Sequence, residues 1–301
     1  MQAHMRGALL GALAMGLAST AQAQPLNVAV TFSVLGDLVE RVAGADAEVS
    51  TLTPVGAEVH EWELIPSNFA DLEDADLVFY NGYGLEQWLP QVESSVGDGV
   101  AVVAVAEASG YPTQPIVTGE LAGEPDPHLW MDPRASAEYA RVIADALSEA
   151  RPEAAEGFQA RGAALAESLE ALHAEIEATL AEIPAEQRLL ITSEAAFLYF
   201  ADAFDFEHDG IWGTNAEDEG TPRQLMRIVD LIEARQPAAI FWESTISDRH
   251  VRSVAEETEI AIAGPLYVDS VSDAQGEAPD YAAMLRHNAA LLSEALGAQR
   301  D

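Results

Sequence analysis

No cysteine occurs in the 301 residues. That excludes disulfides, thiolate zinc sites, iron–sulfur clusters, cysteine nucleophiles and lipid attached to an N-terminal cysteine. Lysine is absent too. All 14 basic residues are Arg, against 51 acidic ones, for a formal net charge of −37. A surface this negative cannot neutralise a phosphate backbone, which argues against a nucleic-acid partner. Docking on anionic lipid is disfavoured for the same reason. No apolar run reaches the roughly 20 residues that span a bilayer. What is present, 49% hydrophobic and 22% charged residues, is the composition of a folded chain. An acidic surface without Lys suits a protein exposed to high salt, where counterions screen self-repulsion.

Residues 1–23 read as a signal peptide: Arg6, then the apolar stretch Ala8–Ala18, then the small-x-small pattern Ala21-Gln22-Ala23. The expectation is a secreted, periplasmic protein that is not a lipoprotein. Further on, β-branched runs alternate with helical patterns. The expected strands are Leu26–Thr31, Val49–Leu52, Leu77–Tyr80, Val100–Val105, Leu189–Thr192, Ala238–Trp242 and Ile260–Ala263. The helices between them include Ser33–Val42, Leu85–Val92, Arg134–Glu149, Glu194–Phe204 and Pro222–Arg235. This alternation predicts an α/β protein with mainly parallel sheets. The rhythm breaks at Pro152–Ile183, where Leu165, Leu169, Leu172, Ile176 and Leu180 recur at steps of three and four. About thirty helical residues there would run roughly 45 Å. The expected layout is an N-terminal lobe over residues 25–150, a linker helix over 151–184 and a C-terminal lobe over 185–301.

Seven histidines are present. His4 lies in the leader, His173 is expected to face solvent, and His208, His250 and His287 have no supporting pattern. His60 stands in TPVGAEVHEWELIPS, a loop after a strand. The zinc-protease pattern fails there, because Leu64 occupies the position four residues on. His128 stands in EPDPHLWMDP, whose prolines restrict the backbone. Two carboxylates stand at strand ends in the second half, Glu194 in LLITSEAAFLYF and Asp269 in GPLYVD. Ligands of open parallel sheets collect outside the carboxyl ends of strands. Yet Glu194 reads equally as a first-turn helix residue capped by Ser193, and Asp269 as a turn residue. The residues alone make these four a plausible set without showing that they meet.

Together the segments PVGAEVHEWELIPSNFADLEDADLVFYNGYGLEQWL, DPHLWMDP, ITSEAAFLYFADAF, NAEDEGTPRQL, IFWEST and DSVSD resemble the metal-specific solute-binding proteins of ABC importers, the periplasmic manganese/zinc family. The resemblance covers nearly the whole mature chain. It implies two α/β lobes joined by one rigid helix, with a single metal ion in the cleft and two ligands from each lobe. His60 and His128 would be the first pair, Glu194 and Asp269 the second. It also implies partners: a divalent cation and an inner-membrane permease, with the protein a monomer and not an enzyme. Zinc-specific relatives usually carry His where Glu194 stands, together with a His-rich acidic loop that is lacking here. Two imidazoles and two carboxylates suit Mn²⁺, with Zn²⁺ and Fe²⁺ as alternatives.

A metal hydrolase on the same ligands would need an open position and a base, for which Glu61 or Glu63 beside His60 could serve. An adhesin or purely structural role would leave function independent of His60. Trp62 and Trp130, each two residues beyond a candidate ligand, would either wall the cleft or pack in a core. Glu243, at the end of a strand, would either orient a ligand His or make a structural hydrogen bond.

Overall fold

The computed structural model describes residues 24–214 and 220–297, so the expected signal peptide lies outside the described residues, as do the first five residues of NAEDEGTPRQL. In chain order the elements of the first half are β1 (Leu26–Val30), α1 (Ser33–Ala43), β2 (Ala47–Thr51), α2 (Pro66–Glu73), β3 (Leu77–Tyr80), α3 (Leu89–Glu93), β4 (Ala101–Ala104), α4 (Val105–Ser109) and α5 (Pro133–Ala150). The long helix α6 (Ala155–Leu180) follows. The second half holds β5 (Leu189–Glu194), α7 (Leu198–Ala203), β6 (Glu207–Trp212), α8 (Pro222–Arg235), β7 (Ala239–Glu243), α9 (Arg249–Thr258), β8 (Ala261–Leu266) and α10 (Tyr281–Gly297). None of the described helices is long and apolar enough to cross a membrane.

The first half is a four-stranded parallel sheet in the order β2-β1-β3-β4. Parallel strands are buried on both faces by their crossover helices. Here one face packs Val28, Val30, Leu77 and Phe79 into the main core, and the other sets Ala29 and Val78 against Leu72, Trp88 and Val92. The second half contains two parallel pairs, β5-β6 and β7-β8, rather than one continuous sheet. Their outer faces share a core with α8 and α9, built on Ile191, Ile211, Trp212, Ile228 and Val251. The chain is thus an α/β protein with parallel sheets at both ends and a helical layer between them.

Helix α6 runs through that layer. All five residues of the expected stripe, Leu165, Leu169, Leu172, Ile176 and Leu180, are buried against Leu35 and Leu38 of α1, Tyr139 and Ile143 of α5, and Leu285 and Leu292 of α10. Its 26 residues give about 39 Å at 1.5 Å per residue, shorter than the expected strut. Pro152–Ala154 form a separate tight turn, and the helix stops at Leu180, before Pro184. The helix lies close against α5 because Gly162 has no side chain: a Cβ there would sit 2.6 Å from that of Ala144. Helix α8 begins and ends where its signals predict. Thr221 caps the backbone N–H of Gln224, and Pro222 occupies the first turn, where its missing N–H costs nothing.

Three expectations need correction, the first being the helix at Leu85–Val92, which starts only at Leu89 because residues 85–88 form a bend and a turn. Strand β6 carries no signal of alternating apolar residues, since it opens on Glu207, His208 and Asp209. The expected helix at Glu194–Phe204 starts only at Leu198, because β5 continues to Glu194, whose backbone pairs with Trp212 of β6.

Candidate metal centre

Three loops and the end of one strand converge on the space between the two halves. His60 lies in the loop that leaves β2. That loop is pinned where Trp88 Nε1 donates to the Val59 carbonyl (2.7 Å) and where the His60 N–H donates to Glu58 Oε1 (3.1 Å). His128 precedes a short turn into α5, whose N-cap is Asp132. Glu194 is the last residue of β5, and Asp269 follows β8 by three residues. All four are buried, and one ligand atom from each lies within 4.8 Å of the others.

The separations suit a shared cation. His60 Nε2 is 3.4 Å and His128 Nε2 3.7 Å from Glu194 Oε1, and His128 Nε2 is 3.9 Å from Asp269 Oδ1. Donors about 2.2 Å from one ion in tetrahedral or octahedral arrangement stand roughly 3.1–3.6 Å apart. These three pairs therefore need to tighten by only a few tenths of an ångström, while the widest separation in the cluster, up to 4.8 Å, closes further. Both ring nitrogens of His60, Nε2 of His128 and both carboxylate oxygens of Asp269 are buried without a hydrogen-bond partner. Each such atom costs about 1–3 kcal/mol if nothing satisfies it, and a divalent cation satisfies several at once.

The surroundings prepare the donors. Asp126 Oδ1 accepts both the backbone N–H of His128 (2.9 Å) and a hydrogen bond from its Nδ1 (3.0 Å). With the proton on Nδ1, the lone pair of Nε2 points at Glu194 and Asp269, the arrangement by which carboxylates orient metal-binding imidazoles. Asp126 is itself fixed, because Tyr199 Oη donates to its backbone carbonyl (2.9 Å). On the other side, Glu243 Oε1 accepts the backbone N–H of Glu194 (3.0 Å), joining β5 to β7 where the two strand pairs are not hydrogen-bonded as a sheet. Burial pushes the Glu243 carboxyl up to about 8.

Protonation differs among the four. Burial, and then the neighbouring His128, hold His60 well below the ordinary imidazole range. Burial also works against a charge on His128, but Asp126, by charge and by hydrogen bond, and Asp269 together lift it above its usual value. Burial, with Glu58 and Asp126 adding negative charge nearby, raises Asp269 despite His128.

Sequence reasoning missed Asp126 and Glu58. The spacing Asp-Pro-His was a usable signal for Asp126, whereas nothing local marks Glu58. Of the two tryptophans, Trp130 is fully buried with its ring 5.2 Å from that of His128, and Trp62 packs instead against the outer core of the first sheet. His173 corrects the expectation of a solvent-facing residue: its ring stacks on Phe204 at 4.9 Å, and Nδ1 lies 3.7 Å from Asp132. His208 is half-buried on β6 beside Thr192 Oγ1 (2.9 Å). His250 and His287 also lie outside the cluster. Replacing Asp126 with Ala should weaken divalent-metal binding by about tenfold to a hundredfold, as loss of an orienting partner does elsewhere. Calorimetric titration of the variant checks this, and an unchanged affinity would mean that Asp126 does not orient His128.

The family model described as "Zinc-uptake complex component A periplasmic" matches residues 28–295. The chain is similar to the manganese-binding lipoprotein MntA of Halalkalibacterium halodurans, at 36% identity over 263 residues, covering 87% of this chain and 86% of that one. It is similar to the iron-binding protein YfeA of Yersinia pestis at 35% over 275 residues, 91% of this chain and 88% of that one. Among solved structures, the periplasmic zinc binding protein TroA from Treponema pallidum superposes with a TM-score of 0.83 at 29% identity, covering 91% of this chain and 99% of that one. These names overturn one expectation. MntA and several other relatives are lipoproteins, in conflict with the reading of this chain as a periplasmic protein that is not one. Absence of cysteine bears on a single mode of lipid attachment and was extended too far when made a statement about anchoring and location.

Proposed function

This chain belongs to the zinc-uptake complex component A family, and on that premise we propose that it is the substrate-binding component of a metal ABC importer and carries one Mn²⁺ ion on His60, His128, Glu194 and Asp269. The observation that carries this reading is the convergence of these four buried side chains, with their nitrogens and oxygens directed at one another.

The donor set favours manganese. Two imidazoles and two carboxylates balance a divalent charge, and each carboxylate can bind through one or both oxygens. That permits more than four contacts, which suits a harder, oxygen-preferring ion. Zn²⁺ and Fe²⁺ remain competitors, since zinc exceeds manganese in intrinsic affinity for such donors. Selectivity then rests on geometry and on the supply of each ion.

Binding and delivery, rather than hydrolysis, is the reading we adopt. Glu61 and Glu63, the bases a hydrolase would use, are exposed, whereas the four-donor cluster is buried. Residues 25–150 and 185–301 act as the two lobes, with the helix between them as a stiff spacer. The incoming ion displaces the protons held by the site and draws the lobes together slightly. The permease recognises that form and distorts it to release the ion. A spacer packed along most of its length permits small motions rather than wide hinge bending.

Competition between Mn²⁺ and Zn²⁺ in the wild type and in Glu194→His tests the assignment. The wild type should bind one Mn²⁺ per chain. The variant, with three imidazoles, should lose Mn²⁺ affinity relative to Zn²⁺ by about tenfold or more. An unchanged metal ratio would remove Glu194 from the site.

A further inference from the structure

Asp269 belongs to the second half by chain order, yet its loop is bonded to the first half. Trp130 Nε1 donates to the Val268 carbonyl (2.9 Å), immediately before Asp269. The Val271 N–H donates to Ser33 Oγ (3.1 Å), and Ser33 Oγ lies 3.1 Å from Ser270 Oγ. Ser270 Oγ in turn donates to the Val271 carbonyl (2.9 Å) and accepts the Gly56 N–H (2.7 Å). Because the Ser270 proton is used on Val271, the Ser33 proton is the one shared between the two hydroxyls. The bonds form a closed ring: Val271 N–H to Ser33, Ser33 to Ser270, Ser270 to the Val271 carbonyl. Both hydroxyls are buried, so every link is shielded from water.

Ser33 opens helix α1 and lies far along the chain from Asp269. Gly56 lies in the loop that carries His60, so Ser270 ties that loop to the Asp269 loop as well. Asp269 is thus tied by hydrogen bonds to the half that supplies both imidazoles, although it lies at the far end of the chain from them.

We propose that Ser33 is a positioning residue for Asp269, holding that carboxylate beside the two imidazoles through the Ser33–Ser270 ring. The proposal rests on the reading of Asp269 as a metal ligand. Ser33 touches no metal donor; it acts through the backbone on either side of Asp269. Its replacement by Ala leaves the Val271 N–H without its acceptor and frees the loop.

The test is a double-mutant cycle on the full chain, using Ser33→Ala, Asp269→Ala and the pair. It is titrated with Zn²⁺, whose tighter binding keeps the weakest variant measurable. Ser33→Ala should weaken binding by about tenfold to a hundredfold. In the Asp269→Ala background the same change should matter by no more than about twofold, because the carboxylate it positions is gone. The EPR spectrum of bound Mn²⁺ in Ser33→Ala should shift towards that of Asp269→Ala, which a merely destabilising substitution would not produce. Wild-type affinity in Ser33→Ala, or equal losses in both backgrounds, overturns the proposal. Wild-type affinity in Asp269→Ala instead overturns the ligand assignment beneath it. Should Ser33→Ala not fold, Ser270→Ala breaks the same ring and is held to the same outcomes.

Discussion

Replacing Glu194 with alanine should lower Mn²⁺ affinity by about two orders of magnitude. A cation held by four protein donors carries an apparent binding free energy on the order of 10 kcal/mol or more. One donor's share is roughly 2.5–3 kcal/mol, and each 1.4 kcal/mol is tenfold. Glu194 also supplies the one oxygen that approaches both imidazoles, at 3.4 and 3.7 Å, so its loss unlinks the halves as well as removing charge. The same loss should appear in thermal unfolding. At metal a thousandfold above the wild-type Kd, binding stabilises the fold by about 4 kcal/mol, and a hundredfold weaker site keeps only about 1.4 kcal/mol of that. Glu61→Ala, exposed beside His60, should leave both quantities unchanged. A metal-induced stabilisation in Glu194→Ala equal to that of the wild type would remove this residue from the site.

Acidification should weaken Mn²⁺ binding by roughly tenfold to a hundredfold between pH 8 and pH 6. Burial holds His60 in its neutral, metal-ready form, so it contributes no bound proton in this range. His128 and Asp269 are both raised, the first because Asp126 outweighs burial and the second chiefly by burial itself. Groups with raised values take up protons as the pH falls, and the ion must displace them, at about tenfold per displaced proton per pH unit. Stability of the metal-free protein should run the other way above about pH 7, where the imidazoles of the unfolded chain are already largely neutral and the depressed His60 and His208 no longer add an opposing slope. The folded state holds protons on Asp269 and Glu243 more tightly than the unfolded chain does, so the metal-free fold loses stability as pH rises and these carboxyls ionise. Titrations and melting curves at constant ionic strength would show opposite slopes above about pH 7 for metal affinity and metal-free stability. A flat affinity profile would mean that no protonated group in this range faces the ion.

Most of the architecture was legible because strand and helix periodicity follows directly from burial. The α6 stripe reads cleanly since its five residues meet other helices along most of the length. Strand β6 was not legible because its polar opening, Glu207-His208-Asp209, is paid for by partners remote in sequence, such as Arg227 on Asp209 (2.6 Å). The same limit applies to the site. His60, His128, Glu194 and Asp269 each sit in a distinctive segment, and their likeness to a known pattern brought them together before any coordinates did. Asp126, Glu58 and Ser33 escaped notice because their contributions are contacts. The role of Ser33 exists only through Ser270 and Val271, more than two hundred residues away in the chain.

The account depends on these four side chains gripping one ion. Anomalous diffraction at the manganese edge from Mn²⁺-loaded crystals tests that most directly. The account predicts one peak per chain, roughly 2.0–2.3 Å from a nitrogen of His60, a nitrogen of His128 and oxygens of Glu194 and Asp269. A peak elsewhere on the acidic surface, or one that leaves out either imidazole or either carboxylate, would contradict it.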